Sequence, residues 1–305
     1  SLHNKNEMGM SVDSQQDGSR LHDKALPGDE VIRIDVGAVL RSRLPRLWRF
    51  IPSSLVRRLE DIVCQDRLNW LLEHNRGRQG ADFCRGVFDD LNISYRIMGE
   101  ENLPPVSDRR VVIMSNHPLG GLDGMVLIEY FTRRYGKGVK FVVNDLLMAV
   151  KPLAGEFVPV NKHGRQSRRA LELTREVFAG DDPIIVFPAG LVSRLRPDGT
   201  IRDLEWQKSF VQRAVESRRD IIPVHFGGHN SPFFYKFAKN RQRVGLKFNI
   251  EMIYLPREVF NNENAEFTVT IGKPIPWQKL KGGRDARAEA AAIRKVVYSL
   301  VGETV

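Results

Sequence analysis

Nowhere in this 305-residue sequence does an apolar run approach the ~18 to 20 residues that a membrane-spanning helix needs. The first residues also lack the basic-then-apolar pattern of a secretory signal. Cysteine is scarce, with Cys64 and Cys84 alone. Two thiols are too few for a disulfide framework or a cysteine-based metal site, so a reducing, cytosolic setting is expected, with both read as small buried hydrophobes. No repeat of fixed period is visible. What remains is a folded chain with 42% hydrophobic and 28% charged residues, long enough to bury a real core in one domain or two.

Acidic residues are in short supply: 37 Asp plus Glu stand against 47 Lys plus Arg, for a net charge of +10. Residues 1–30 hold six of the acids and only three bases, so the rest of the chain is about three units more positive than the total. Such a balance attracts nucleic acid, anionic lipid headgroups, or phosphate-bearing substrates and carriers.

Residues 1–30 are polar and poor in large apolar side chains, and read as a disordered tail. Residues 31–92 read as a basic helical segment. Between Arg41 and Arg58 lie six arginines and no acid, interleaved with Leu44, Leu47, Trp48, Phe50 and Leu55. Pro45 and Pro52 divide this stretch, and Ser53 or Ser54 is expected to cap a helix from about Leu55 to Leu72. Arginine beside Trp and Leu suits the headgroup zone of an anionic membrane. It suits equally a helical subdomain packed on the core with a solvated basic face.

Residues 93–305 alternate short apolar runs with amphipathic stretches. Strands are predicted at Ser94–Met98, Val111–Ser115, Val139–Val143, Glu156–Val160, Ile184–Phe187, Ile221–Phe226, Asn249–Tyr254 and Phe267–Ile271. Helices are predicted near Gly124–Tyr135, Ser167–Ala179, Trp206–Ser217, Pro232–Lys239 and Ala286–Leu300. The pattern implies an α/β domain with a largely parallel sheet covered by helices on both faces. Sites in such sheets gather at the carboxyl ends of the strands.

One stretch at such an end is "SNHPLGGLDG", residues 115–124. A carboxylate on one imidazole nitrogen fixes the tautomer and leaves the other nitrogen free to take a proton, so His117 and Asp123 read as a general-base pair. Ser115 is expected to face away, which leaves a substrate hydroxyl or amine as the nucleophile. Three further strand ends carry polar residues. "GEFVPVNK" delivers Asn161 and Lys162, "IIVFPAGLVSR" delivers Gly190, Ser193 and Arg194, and "IIPVHFGG" includes Pro223. Arginine beside exposed backbone N–H groups suits a phosphate or carboxylate. His225 and His229 are four apart, but on a strand followed by glycines that spacing does not put them on one face, so no metal is expected.

Taken in order, these blocks resemble the lysophosphatidate (1-acylglycerol-3-phosphate) acyltransferase family over roughly residues 93–275. The resemblance implies a glycerolipid acyltransferase-like fold, His117 as base and Asp123 as its orienter. It also implies an acceptor site that includes Gly190, Ser193 and Arg194, with Asn161, Lys162 and Pro223 nearby. Two departures stand out. Five residues rather than four separate His117 from Asp123, so the turn must bulge by one, and the glutamate of the family's third block is Ala189 here. Both departures look like the hemolysin-like branch, whose members acylate bacterial amino-acid lipids.

The expectation is therefore an O-acyltransferase, peripheral on the cytoplasmic face of the cell membrane. It would move a fatty acyl group from acyl-carrier protein or coenzyme A to a lysolipid hydroxyl, without metal or cofactor. Two rivals stand beside it. A serine-type lipid hydrolase would need Ser115 or Ser193 within reach of His117, and "GLVSR" is not a Gly-x-Ser-x-Gly elbow. A nucleic-acid-binding protein would use the 41–58 segment, but no nucleic-acid motif is present.

Overall fold

The computed structural model describes residues 33–144, 151–155, 157–160 and 165–305. The tail expected over residues 1–30 and the candidates Asn161 and Lys162 lie outside the described residues. Four helices open the chain: α1 (Val36–Arg43), α2 (Ser53–Ile62), α3 (Gln65–His74) and α4 (Gly80–Leu91). There follow β1 (Ser94–Met98), β2 (Val111–Ser115), α5 (Leu122–Tyr135), β3 (Lys140–Asn144), β4 (Phe157–Val160), α6 (Arg165–Ala179) and β5 (Ile184–Val186). A two-stranded hairpin, β6 (Arg194–Leu195) and β7 (Ile201–Arg202), leads into α7 (Lys208–Glu216) and β8 (Asp220–Gly227). The chain ends with α8 (Pro232–Arg243), α9 (Leu255–Asn261), β9 (Glu266–Ile271) and α10 (Ala286–Ser299).

Seven strands form one sheet in the order β1-β9-β8-β2-β5-β3-β4. Every neighbouring pair is parallel except β8 and β9. The largely parallel α/β sheet is therefore as expected. Strand β2 shows why its sequence is an unbroken apolar run: all five residues are buried, because both faces of the sheet are covered. Val111 and Ile113 pack with α4 and α5, whereas Val112 and Met114 pack with α7 and α10. From β5 the chain passes to β8 on the far side of β2, so the carboxyl ends of β5, β2 and β8 converge where the strand order reverses.

Three local expectations are corrected. Residues 249–254 are not a strand; Ile250–Tyr254 is a 3₁₀ helix whose period of three turns Glu251 inward and leaves Ile250 and Ile253 exposed. The β-branched composition reads as strand, but burying Glu251 against two arginines dictates the tighter turn. The single helix expected over Leu55–Leu72 is two, broken at Cys64, which holds the left-handed conformation at φ 53°. Neither Ser53 nor Ser54 caps α2; the cap position is Pro52, with no side-chain bond to the helix. Helices α3 and α4 pack on the sheet through Leu71, Phe83, Val87 and Phe88.

Candidate active site

His117 stands two residues past the end of β2, in a turn held on several sides. Asn116 continues the strand by its side chain: its amide donates to the Phe226 carbonyl at 3.0 Å and accepts from the Phe226 N–H at 2.6 Å. That exchange imitates a ladder pair and ties the turn to β8. The chain then reverses through Gly120, whose φ of +93° suits glycine and no bulky residue.

Asp123 sits in the first turn of α5, fully buried. Its Oδ2 lies 2.8 Å from His117 Nδ1 and accepts from the N–H groups of Leu119 at 2.9 Å and Gly120 at 3.3 Å. Its Oδ1 accepts from the Gly124 N–H at 2.8 Å. Burial would raise the carboxyl's pKa, but His117 and the donors from Leu119 and Gly124 outweigh it and hold the group below the usual carboxylate range. A carboxylate can only accept, so Nδ1 carries the hydrogen and Nε2 is left as the basic nitrogen. Phe187, from the end of β5, stacks on the imidazole with ring centres 3.9 Å apart and planes 14° apart. Gly124 makes room for this, since a Cβ there would come within 3.2 Å of Phe141 and 3.6 Å of Phe187.

A second buried carboxylate, one the sequence did not single out, fixes the backbone of His117. Asp203, just after β7, accepts from the His117 N–H at 3.0 Å, the Ser193 hydroxyl at 2.6 Å and Trp206 Nε1 at 2.8 Å. Burial raises its pKa, against the three donors that lower it. Nothing local marks Asp203, because its partners come from distant parts of the chain.

Of the expected site residues, the structure brings His117, Asp123, Ser193 and Gly190 to one edge of the sheet. Ser193 also donates its backbone N–H to the His117 carbonyl at 2.8 Å. Gly190 makes the turn after β5 with φ +72° and donates to the Phe187 carbonyl at 3.0 Å. Arg194 follows, but its guanidinium points inward. It is only 5% exposed and bonds to Glu251 Oε1 at 3.0 Å and the Val192 carbonyl at 2.7 Å. Glu251 also accepts from Arg241 at 2.8 and 3.0 Å, making an internal triad of one acid and two arginines. Pro223 is buried in the middle of β8, opposite Met114, away from the strand end.

The serines expected of a hydrolase are engaged elsewhere: Ser115 donates to the Asn116 carbonyl at 2.8 Å and Ser193 to Asp203. Ala189 is buried in the apolar layer with Val112 and Met114, so the turn offers no carboxylate at that position. His225 and His229 do not converge. The first is buried on β8, while the second has its Nδ1 2.9 Å from the Asn230 carbonyl oxygen. Among the described residues no three His, Cys, Asp or Glu side chains stand together as a metal site.

Comparison with known proteins adds three findings. A model of the family described as Acyltransferase matches residues 38–303. A lyso-glycine lipid O-acyltransferase of Bacteroides thetaiotaomicron is 42% identical over 272 residues, covering 89% of this chain and 99% of its own; one of Phocaeicola vulgatus is 42% identical over 272 residues, covering 89% and 96%. The crystal structure of the 1-acyl-sn-glycerophosphate acyltransferase PlsC of Thermotoga maritima covers 88% of both chains, at a TM-score of 0.47 and 17% identity.

Proposed function

The chain belongs to this acyltransferase family, and from that premise we propose that it acylates the hydroxyl of a lysolipid, with a lyso-glycine lipid as acceptor. The observation that carries the reading is the His117–Asp123 pair at the carboxyl end of the central strand. Nε2 of His117 takes the proton of the acceptor hydroxyl as that oxygen attacks the thioester carbonyl of an acyl-carrier protein or coenzyme A. The tetrahedral intermediate then collapses, the C–S bond breaks, and the imidazolium returns its proton to the leaving thiolate. The base contributes ~10² to 10⁴ in rate, and Asp123 stabilises the imidazolium as it forms. An activated thioester needs no metal or further cofactor for this transfer.

The turn from Gly190 to Ser193 would border the acceptor, with Asn161 and Lys162 completing the site. Arg194 would serve it by holding that turn to Glu251. Buried Ala189 fits an acceptor that brings no group needing a carboxylate there. No helix of the described residues is long and apolar enough to cross a membrane. We place the enzyme at the cytoplasmic face of the membrane, held by the 41–58 segment. In support, Phe50 is 71% exposed, and Leu44, Leu47 and Leu55 are exposed among the arginines.

The test is direct. Purified protein is given acyl-carrier-protein or coenzyme A thioesters with lyso-glycine lipid or lysophosphatidate, and products are read by mass spectrometry. Acylation of lyso-glycine lipid that vanishes in a folded His117→Ala variant is the expected result. Acylation of neither lipid, or undiminished activity in His117→Ala, refutes the reading.

A further inference from the structure

From the end of α8, through the turn beyond it, to the start of the 3₁₀ helix, every residue from Gln242 to Ile250 is exposed. Its apolar side chains fall at every second position: Val244, Leu246, Phe248 and Ile250. Val244 is 72% and Phe248 78% exposed, so these side chains stand clear of the protein. Scattered surface apolar residues need no explanation, but a contiguous projecting set marks a contact surface.

The charge around it has one sign. From Asn230 to Ile250 there is no Asp or Glu, whereas Lys236, Lys239, Arg243 and Lys247 are all exposed. Basic side chains next to projecting apolar ones match the boundary between anionic headgroups and acyl chains.

The underside of this turn is built into the candidate active site. Glu251, one residue beyond it, holds Arg194 of the Gly190–Arg194 turn at 3.0 Å. Helix α9 follows at once, and its Leu255 covers Gly120 of the catalytic turn so closely that a Cβ there would meet Leu255 at 2.9 Å. Asn230, just before α8, donates to the Leu119 carbonyl at 3.2 Å.

We infer that residues 233–253 form an anionic-bilayer contact surface, separate in sequence from the 41–58 segment, that seats the catalytic turn at the lipid interface. The inference rests on the reading of the acceptor as a lysolipid. Phe248, Val244 and Leu246 enter the boundary between headgroups and acyl chains, while the four basic side chains engage the headgroups.

The test uses the full chain and phosphatidylcholine vesicles with or without phosphatidylglycerol. Val244→Ser, Leu246→Ser and Phe248→Ser together should lower partition onto the anionic vesicles by about tenfold or more, with unchanged melting. Lys236, Lys239, Arg243 and Lys247 changed to Gln should remove much of the salt dependence that the parent shows. The triple-serine variant should still acylate a short-chain, water-soluble acceptor while losing turnover on vesicle-borne acceptor. Parent-like partition of the triple variant overturns the inference, as does a parent that ignores anionic vesicles. Loss of affinity for acyl-carrier protein, with vesicle binding intact, also overturns it and assigns the surface to the carrier. A parent that acylates no lysolipid refutes the acceptor reading instead, while the partition result still decides the surface.

Discussion

The backbone N–H of His117 donates to Oδ1 of Asp203 at 3.0 Å, across 86 residues of sequence. His117 is thus gripped by two buried carboxylates, Asp123 at its ring and Asp203 at its backbone. Their environments differ in sign: Asp123 is held below the usual carboxylate range and Asp203 is pushed above it.

Asp123→Asn should weaken the base without reversing its tautomer. Three donors face Oδ2 and one faces Oδ1, so the new amide will set its carbonyl toward His117, Leu119 and Gly120. Nδ1 keeps its hydrogen and the imidazolium loses its counter-charge, while the new NH₂ meets the Gly124 N–H, so the variant should also melt lower. The expected loss in kcat is on the order of 10²-fold, short of the ~10⁴ that tautomer reversal produces in Ser-His-Asp enzymes. A loss near 10⁴ would show that the amide had turned the other way.

In the proposed mechanism Asp203 touches no reacting atom and acts as a positioning residue. Asp203→Ala should lower kcat by up to about 10²-fold, the scale of an ångström's misplacement, while KM for the acceptor stays close to that of the parent. Asp203→Asn should melt lower, because its NH₂ meets the Trp206 N–H, a mismatch costing about 1 to 3 kcal/mol. Adding Trp206→Phe removes that donor and should restore part of the melting temperature. An Asp203→Ala enzyme that is folded and fully active would dismiss the positioning role.

His225 sets an acid limit on stability. Burial on β8 lowers its pKa from 6.5 to about 4, so the folded protein keeps it neutral. The unfolded chain takes up a proton near pH 6.5 and the folded one does not until about pH 4. Stability from this group is complete above pH 6.5 and falls away as pH drops toward 4. His225→Phe, of similar volume beside the Tyr298 ring, should flatten the melting temperature over that window. An unchanged slope in the variant would place the acid sensitivity elsewhere.

What the sequence made legible follows from locality. The strands around His117 were readable because both faces of the sheet are covered, so the runs are wholly apolar. The placement of His117, Asp123 and Gly190 at one edge of the sheet was readable because their contacts are made within one turn of chain. Asp203 and Glu251 were not. Each is a lone acid whose partners lie far along the chain, Ser193 and His117 for one, Arg194 and Arg241 for the other. The same burial of Glu251 misled the strand assignment at 249–254, and the left-handed Cys64 divided a helix whose periodicity is continuous. Arg194 was read as an exposed anion binder from its place after a strand, but the fold supplies it with an internal anion.

The arginines of residues 41–58 stand beside two aromatics, Trp48 and Phe50, that a purely structural segment would bury in the core. The two aromatics part company. Trp48 is half-buried, close enough to Gly37 that a Cβ there would lie 3.5 Å away, whereas Phe50 projects into solvent. Arg41 and Arg49 lie over Trp48 and Phe50, 5.0 and 5.3 Å from the ring centres, and neither makes an ion pair among the described residues. Four charges freed for headgroups contribute on the order of 1 kcal/mol each near an anionic surface. Arg41, Arg43, Arg46 and Arg49 changed to Gln should therefore release the protein from anionic vesicles at moderate salt, with little change in melting. Helix α2 also touches α9, where Arg257 donates to the Asp61 carbonyl at 3.3 Å. Activity on vesicle-borne acceptor should fall more than activity on a soluble one. Combining this variant with the triple serine change should abolish vesicle binding altogether. If the quadruple variant alone binds as the parent does, the 233–253 surface carries the contact by itself, and the basic segment is a solvated face of the helical subdomain.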